Sequence, residues 1–391
     1  MFPRRAFLSL SLLLLAGLPL AAQSSLVYIG TYTVRAGGAT KDPTSKGIYV
    51  ARFDHASGKL STPELAAETT NPSFVAIHPN GRYLYAVGEM YGAGGRPGGT
   101  VTAFSIDATT GKLTQLNQVS SEGGGPCFVT IDKTGKWALV ANYGTGSVAS
   151  IAVGPDGKLG AAASVIQHKG SGTDPARQKG PHAHSINLDA RNRFAIAADL
   201  GLDRLFIYKF DARSGKLSQH AEFHTKPGSG PRHFSFHPSG KFAFVINEMA
   251  MTLTSMFWDA NAGKLVEIET LPTIPGPVEK GMSTAEVLSH PSGNFVYGSN
   301  RGHDTIAVFN VDKRGRLART ANEPTQGKTP RNFGISPDGK WLIAANQNSD
   351  SLVVFKIDEA TGVLTPTGQK LEVAMPVCVR FRTESKGGIF K

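Results

Sequence analysis

The chain of 391 residues carries 41 Lys and Arg against 30 Asp and Glu, a net charge of +11, with 45 Gly, 23 Pro and only 18% charged residues. That composition suits many short strands joined by tight turns and argues against a helical fold, since no window beyond the N-terminus keeps a 3.6-residue apolar period. The cationic balance favours anionic ligands or surfaces, while the lack of a Lys/Arg stripe interleaved with aromatics argues against nucleic acid.

The first 22 residues stand apart. Arg4 and Arg5 precede an apolar run from Phe7 to Ala22, the pattern of an export signal cleaved after Ala22. Arg-Arg-x-Phe-Leu at 4 to 8 also resembles a twin-arginine signal. The expected location is periplasmic or secreted, with residues 23–391 as one domain. No later apolar run is long enough to span a membrane. Two cysteines, Cys127 and Cys378, are too few for a disulfide scaffold and read as two buried thiols.

From residue 26 onward one unit recurs. Its marker is a turn close to Asp-x-x-x-Gly-Lys-Leu, seen at "FDHASGKL", "SIDATTGKL", "VGPDGKL", "FDARSGKL", "WDANAGKL", "NVDKRGRL" and "KIDEATGVL". The turn glycines are Gly58, Gly111, Gly157, Gly215, Gly263, Gly315 and Gly362, and seven units of about fifty residues give the count of a propeller. In each unit the turn joins two outer strands. A strand led by Pro in six of the seven units follows, ending in a "HPNGR"-type turn, and then comes an apolar strand such as "YLYAVGE" or "FAFVINE". The expected fold is all-β: a seven-bladed β-propeller with four antiparallel strands per blade. The last Pro-led strand, "MPVCVRF" at 375 to 381, lacks its partner, and "LVYIGTYT" at 26 to 33 is a strand of the missing kind. The N-terminal strand is therefore expected to close the last blade and remove two free sheet edges, which points to a monomer.

Subtracting the repeat leaves candidate site residues. The position after the strand-leading Pro (after Ser283 in unit five) holds Ser73, Cys127, His182, Arg232, Thr284, Arg331 and Val377. At the end of the next strand stand Glu89, Tyr143, Leu200, Glu248, Arg301 and Gln347. Antiparallel pairing carries both series to one mouth of the central channel, where His182, His184, Arg232, His233, Glu248, Glu286, Arg301 and Arg331 are expected together. The stretch "QHKGSGTDPARQKGPHAH" at 167 to 184 lengthens unit three and brings Arg177 to that face. Asn142, Asn247, Asn300 and Asn346, like His78, His237 and His290, recur with the repeat and read as turn scaffold. Arg and Glu at a channel mouth could simply neutralise one another. Against that stands the asymmetry of the first series, small or apolar in units one, two and seven.

The motifs "ARQKGPHAH", "ADLGLDRL", "GPRHFSFHPSGKFAFVINE", "STAEV", "SNRGHDTIAVF" and "TPRNFGISPDGKWLIAANQ", taken in order, resemble the seven-bladed β-propeller lactonases of the 6-phosphogluconolactonase and carboxymuconate cyclase type. The resemblance covers essentially the whole chain after residue 22. It implies a lactone-handling enzyme without metal or organic cofactor, with His182, Arg232, Glu248 and Arg301 as catalytic residues. The expected reaction is hydrolysis of a sugar lactone, aldono- or 6-phosphoglucono-, by water activated by Glu248 or His182, with Arg232 and Arg301 on the oxyanion or an anionic substituent. His184, His233, Glu286, Arg331 and Arg177 are the expected substrate-binding residues, with Glu286 a rival base. A carboxymuconate-type cycloisomerase and a non-catalytic binding propeller are the alternatives. The clustered guanidiniums would repel a divalent metal ion.

Overall fold

Each Gly-Lys-Leu turn has two reasons for its glycine. Gly58 and Gly215 both hold φ of +70°, in the left-handed region, and a Cβ on either would stand 2.3 Å from a Trp ring of the preceding blade, Trp341 or Trp137. The turn thus reverses the chain and seats one blade on the next. Tyrosines of the buried strands reinforce the joint: Tyr28, Tyr85 and Tyr297 donate their hydroxyls to the carbonyls of Gly111, Gly157 and Gly362 at 2.9, 3.0 and 2.8 Å.

The computed structural model describes residues 24–34, 44–92 and 98–382; the export signal expected in residues 1–22 lies outside them. Among the described residues, seven antiparallel sheets surround an axis. Blade one runs from Val75–Ile77 to Leu113–Ser120, blade two from Pro126–Ile131 to Leu159–Gln167, and blade three from Ala183–Leu188 to Lys216–His224. Blades four, five and six begin with Pro231–Phe236, Ser283–Ser289 and Pro330–Ile335. In the seventh, the innermost strand Pro376–Phe381 pairs with Ser24–Thr31 in the register Val27 to Phe381 and Gly30 to Cys378, so the N-terminal strand closes the ring. The outer edge of that blade is interrupted, with Lys59–Leu60 and Glu64–Glu68 both pairing Gly47–Asp54.

The second strand of every blade is nearly all apolar and buried, because its two faces pack against different neighbouring blades. Phe244 and Ile246 of blade four meet Val296, Ala307 and Phe309 of blade five in one such layer. The recurring histidines tie blades together: Nε2 of His78, His237 and His290 lies 2.9, 2.7 and 2.7 Å from the carbonyls of Gly135, Gly293 and Gly339 in the next blade. Asn142, Asn247 and Asn300, all buried, donate across their own hairpins to Ser147, Thr252 and Thr305. Cys127 and Cys378 are both free and buried. No helix of the described residues is long and apolar enough to cross a membrane.

Candidate active site

The strand registers set the depth of each side chain in the channel. Pro126, Pro231 and Pro330 face Asn142, Asn247 and Asn346 across the inner hairpins. The residue that follows therefore forms one ring: Cys127, Arg232 and Arg331. In blade three the residue facing the equivalent Asp199 is Ala183, not Pro181. His184, and not His182 as the proline spacing suggests, is thus the counterpart of Arg232. In blade five Thr284 faces Asn300, so Ala285 takes that ring position rather than Thr284. One residue deeper lies a second ring containing Phe74, Phe128, Ser185, His233, Glu286, Asn332 and Cys378.

His182 is displaced to the rim. Its carbonyl accepts the Leu200 N–H as the Gly230 carbonyl accepts that of Glu248, its ring stacks on Tyr143 with centroids 4.5 Å apart, and its Nδ1 lies 2.9 Å from the Tyr143 carbonyl. Glu286 and His233 are displaced the other way, into the channel wall. Nδ1 of His233 meets Glu286 Oε1 at 2.8 Å, and Asn332 and Arg380 take the other carboxylate oxygen. Burial lowers the His233 pKa to about 4 despite this partner. Phe74 and Phe128, 4.3 Å apart between centroids, pack beside His233 and narrow the channel there. The expected eight-residue cluster is therefore divided by depth, and Glu286 and His233 do not line the mouth.

The mouth itself holds a cavity of about 310 Å³ whose charged and aromatic lining comes from Glu89, Tyr91, Tyr143, Arg177, His184, Glu248, Arg301 and Arg331. Glu248 is the electrostatic centre of its wall. Oε2 accepts from Arg232 Nε at 2.9 Å and from Arg301 Nη2 at 3.0 Å, and Oε1 accepts from Arg177 Nη2 at 2.7 Å. Burial alone would raise the Glu248 pKa; the guanidiniums of Arg301, Arg232 and Arg177 outweigh it and hold the carboxyl well below its usual 4.5. Arg301 also donates from Nη2 to the Thr284 carbonyl at 2.8 Å, while its buried Nε has no partner among the described residues. Arg232 is 2% exposed and donates from Nη1 to the Ala285 carbonyl.

His184 is buried beside Cys127, with 3.4 Å between Nδ1 and Sγ. Burial and the Arg232 charge hold it neutral, well below 6.5. Burial also raises the Cys127 thiol, so it is no thiolate. Glu89 stands on the opposite wall, where Oε2 accepts the Tyr32 hydroxyl at 2.9 Å and Arg331 in turn donates to that hydroxyl at 3.0 Å. Burial raises the Glu89 pKa above 4.5 in spite of the nearby Arg331. Tyr32 is a part of the site that the repeats left out. It ends the N-terminal strand of blade seven as Glu89 and Glu248 end the equivalent strands of blades one and four, and its N–H bonds the Met375 carbonyl in the matching way.

The insertion before blade three delivers Arg177. It is anchored by His168, buried with Nδ1 2.6 Å from Asp199 Oδ2 and Nε2 2.7 Å from the Tyr208 hydroxyl. Asp199 Oδ1 accepts the His182 N–H at 2.8 Å, so one carboxylate fixes both ends of the segment. Among the described residues, no group of three or more His, Cys, Asp or Glu side chains is placed to hold a metal ion.

A closed ring of seven blades with this ordered set of charges at one mouth defines a propeller with a small-molecule pocket on its axis, and the chain belongs to the family described as "Lactonase, 7-bladed beta-propeller", which matches residues 26–381. It is 37% identical over 355 residues to a 6-phosphogluconolactonase of Bacillus subtilis strain 168, covering 90% of this chain and 97% of that one. The solved structure of a periplasmic gluconolactonase from Pseudomonas aeruginosa is similar at TM-score 0.84 and 33% identity, over 92% of this chain and 99% of that one. A solved protein from Lactobacillus plantarum is similar at TM-score 0.83 and 31% identity, over 92% and 99% of the two chains.

Proposed function

We propose that this protein hydrolyses a sugar lactone of the aldonolactone class in the cavity at the channel mouth. The observation that carries the reading is the arrangement about Glu248, where one carboxylate orders three guanidiniums and two of them, Arg177 and Arg301, also line the cavity. Attack of water on a lactone carbonyl places negative charge on the carbonyl oxygen, and preorganised guanidinium donors stabilise that charge in a site sheltered from water. Arg301 and Arg177 take this role, with Arg331 on a polar or anionic substituent. Glu248 keeps them in place. With both oxygens engaged and its pKa depressed, it is a poor proton acceptor and acts as a fixed anion.

Exposed Tyr91 and half-buried Tyr143 flank the opening and offer ring faces to a pyranose or furanose. The export signal read in residues 1–22 favours an unphosphorylated sugar lactone met outside the cytoplasm, in keeping with the relative named as periplasmic. The test is hydrolysis of gluconolactone, galactonolactone and 6-phosphogluconolactone by residues 23–391, followed by pH-stat against the spontaneous rate. Turnover of at least one, lost in Arg301→Ala with the fold intact, is the expected result. No turnover on any of the three would end the reading.

A further inference from the structure

We infer that Glu89 is the proton-transfer residue of the site, accepting a proton from the attacking water and returning it to the leaving ring oxygen. The inference rests on the lactone-hydrolysis reading and adds to it the group that moves the proton.

The cavity wall offers few acceptors. Among the described residues its carboxylates are Glu89 and Glu248 and its one imidazole is His184. Glu248 meets a guanidinium on each oxygen and two on Oε2; adding a proton there would leave buried Arg232 and Arg301 without their counter-charge. Protonating His184 would set an imidazolium against the buried Arg232 guanidinium. Glu89 is differently placed. It ends the second strand of blade one, three blades around the ring from Glu248, so the two carboxylates face each other across the space a substrate would fill. Its hydrogen-bond partners are hydroxyls, those of Tyr32 and Ser73, and not a guanidinium.

The charged and titratable groups around Glu89 are Tyr32 from the N-terminal strand, Arg331 and Arg232 from two inner strands, and Cys127 and Tyr91 at the cavity wall. Arg331 shares the Tyr32 hydroxyl with Glu89 and lines the same cavity, Arg232 is buried beside it, and burial outweighs both, which raises the basicity of this carboxylate. Two carboxyls whose surroundings push them in opposite directions have different tasks.

The step balances. The water oxygen bonds to the carbonyl carbon as Glu89 takes one of its protons, giving a tetrahedral oxyanion facing Arg301 and Arg177. Collapse re-forms the carbonyl and breaks the bond to the ring oxygen, which leaves with the proton from Glu89. The products are the open-chain hydroxy acid and a regenerated carboxylate. Tyr32, held between Glu89 and Arg331, is the positioning residue.

The experiment measures kcat and KM against pH for the wild type, Glu89→Gln and Glu89→Asp on whichever lactone the wild type turns over, with thermal melting as a control. General acid-base catalysis contributes about 10²- to 10⁴-fold, so Glu89→Gln should lose at least about 10² in kcat with KM changed only a few-fold, and should lose the acid limb of the wild-type profile. Glu89→Asp keeps a carboxyl and should keep that limb at reduced kcat. Turnover by Glu89→Gln within about threefold of the wild type, or a slow Glu89→Gln that retains the acid limb, overturns the assignment while leaving the lactonase reading intact. A wild type that opens none of the lactones ends both.

Discussion

Arg177 and Glu248 lie 2.7 Å apart although 71 residues separate them in the chain. The segment that carries Arg177 is not needed to build a blade, so this contact joins an addition to the scaffold with the centre of the site. Arg177 is 44% exposed at its side chain, and an ion pair this open contributes little to stability, about 0–1 kcal/mol. Arg177→Ala is therefore expected to leave the melting temperature nearly unchanged. It should lower kcat/KM for the lactone about 10- to 100-fold, the range for one charged hydrogen bond, as measured by steady-state hydrolysis.

Glu248→Gln should behave in the opposite way. It leaves the buried Arg232 and Arg301 uncompensated, a loss of about 3–5 kcal/mol, read as a fall in the denaturant midpoint. The sign of its pH dependence follows from the depressed folded-state pKa. The stabilisation from Glu248 is complete above the ordinary value of 4.5 and is lost as pH falls from there toward the folded value. The gap between wild type and variant should be constant above about pH 4.5 and narrow below it. A gap that widens on acidification would contradict the clamp.

His184 is expected to stay neutral across about pH 5.5 to 8, the range in which an ordinary histidine titrates. Its burial and the Arg232 charge both oppose the imidazolium. Long-range nitrogen-proton spectra of the wild type, assigned with His184→Gln, should show one set of ring shifts throughout. A His184 midpoint near 6.5 would require the surroundings of Arg232 to differ from those described here.

The anchor of the insertion gives a fourth test. His168→Ala removes the partner of Oδ2 of the fully buried Asp199 and should destabilise by about 1–3 kcal/mol or more. It should also loosen the segment 169 to 182, detected as faster limited proteolysis there. Since part of its effect on activity passes through Arg177, His168→Ala and Arg177→Ala should combine to less than the product of their separate losses in kcat/KM.

The ring was legible because the sequence repeats its turns: seven glycines about fifty residues apart and a missing last strand leave little choice of architecture. The charged residues of the mouth were legible for the same reason, since Arg232, Glu248, Arg301 and Arg331 break the chemistry of their repeat positions. Depth in the channel was not. In blade three the residue after Pro181 stays outside the strand, and in blade five the inner strand shifts register between Thr284 and Val287. A proline-based alignment misses by two residues at His182 and by one at Thr284, enough to exchange the ring of His184 with the rim and to send Glu286 into the wall. Tyr32 was missed because its strand belongs to the last blade while standing first in the chain. Aligning "LVYIGTYT" with "FAFVINE" would have placed it opposite Glu248's position.

The hydroxyl of Tyr32 is held between Glu89 and Arg331, and 299 residues part Tyr32 from Arg331. The pocket is thus made from both ends of the polypeptide at once. Six blades are each built from one continuous stretch of chain, yet the pocket is not finished until Pro376–Phe381 has met Ser24–Thr31. Whatever opens that one seam therefore reaches the pocket, because Tyr32, Glu89 and Arg331 come together only when it is shut.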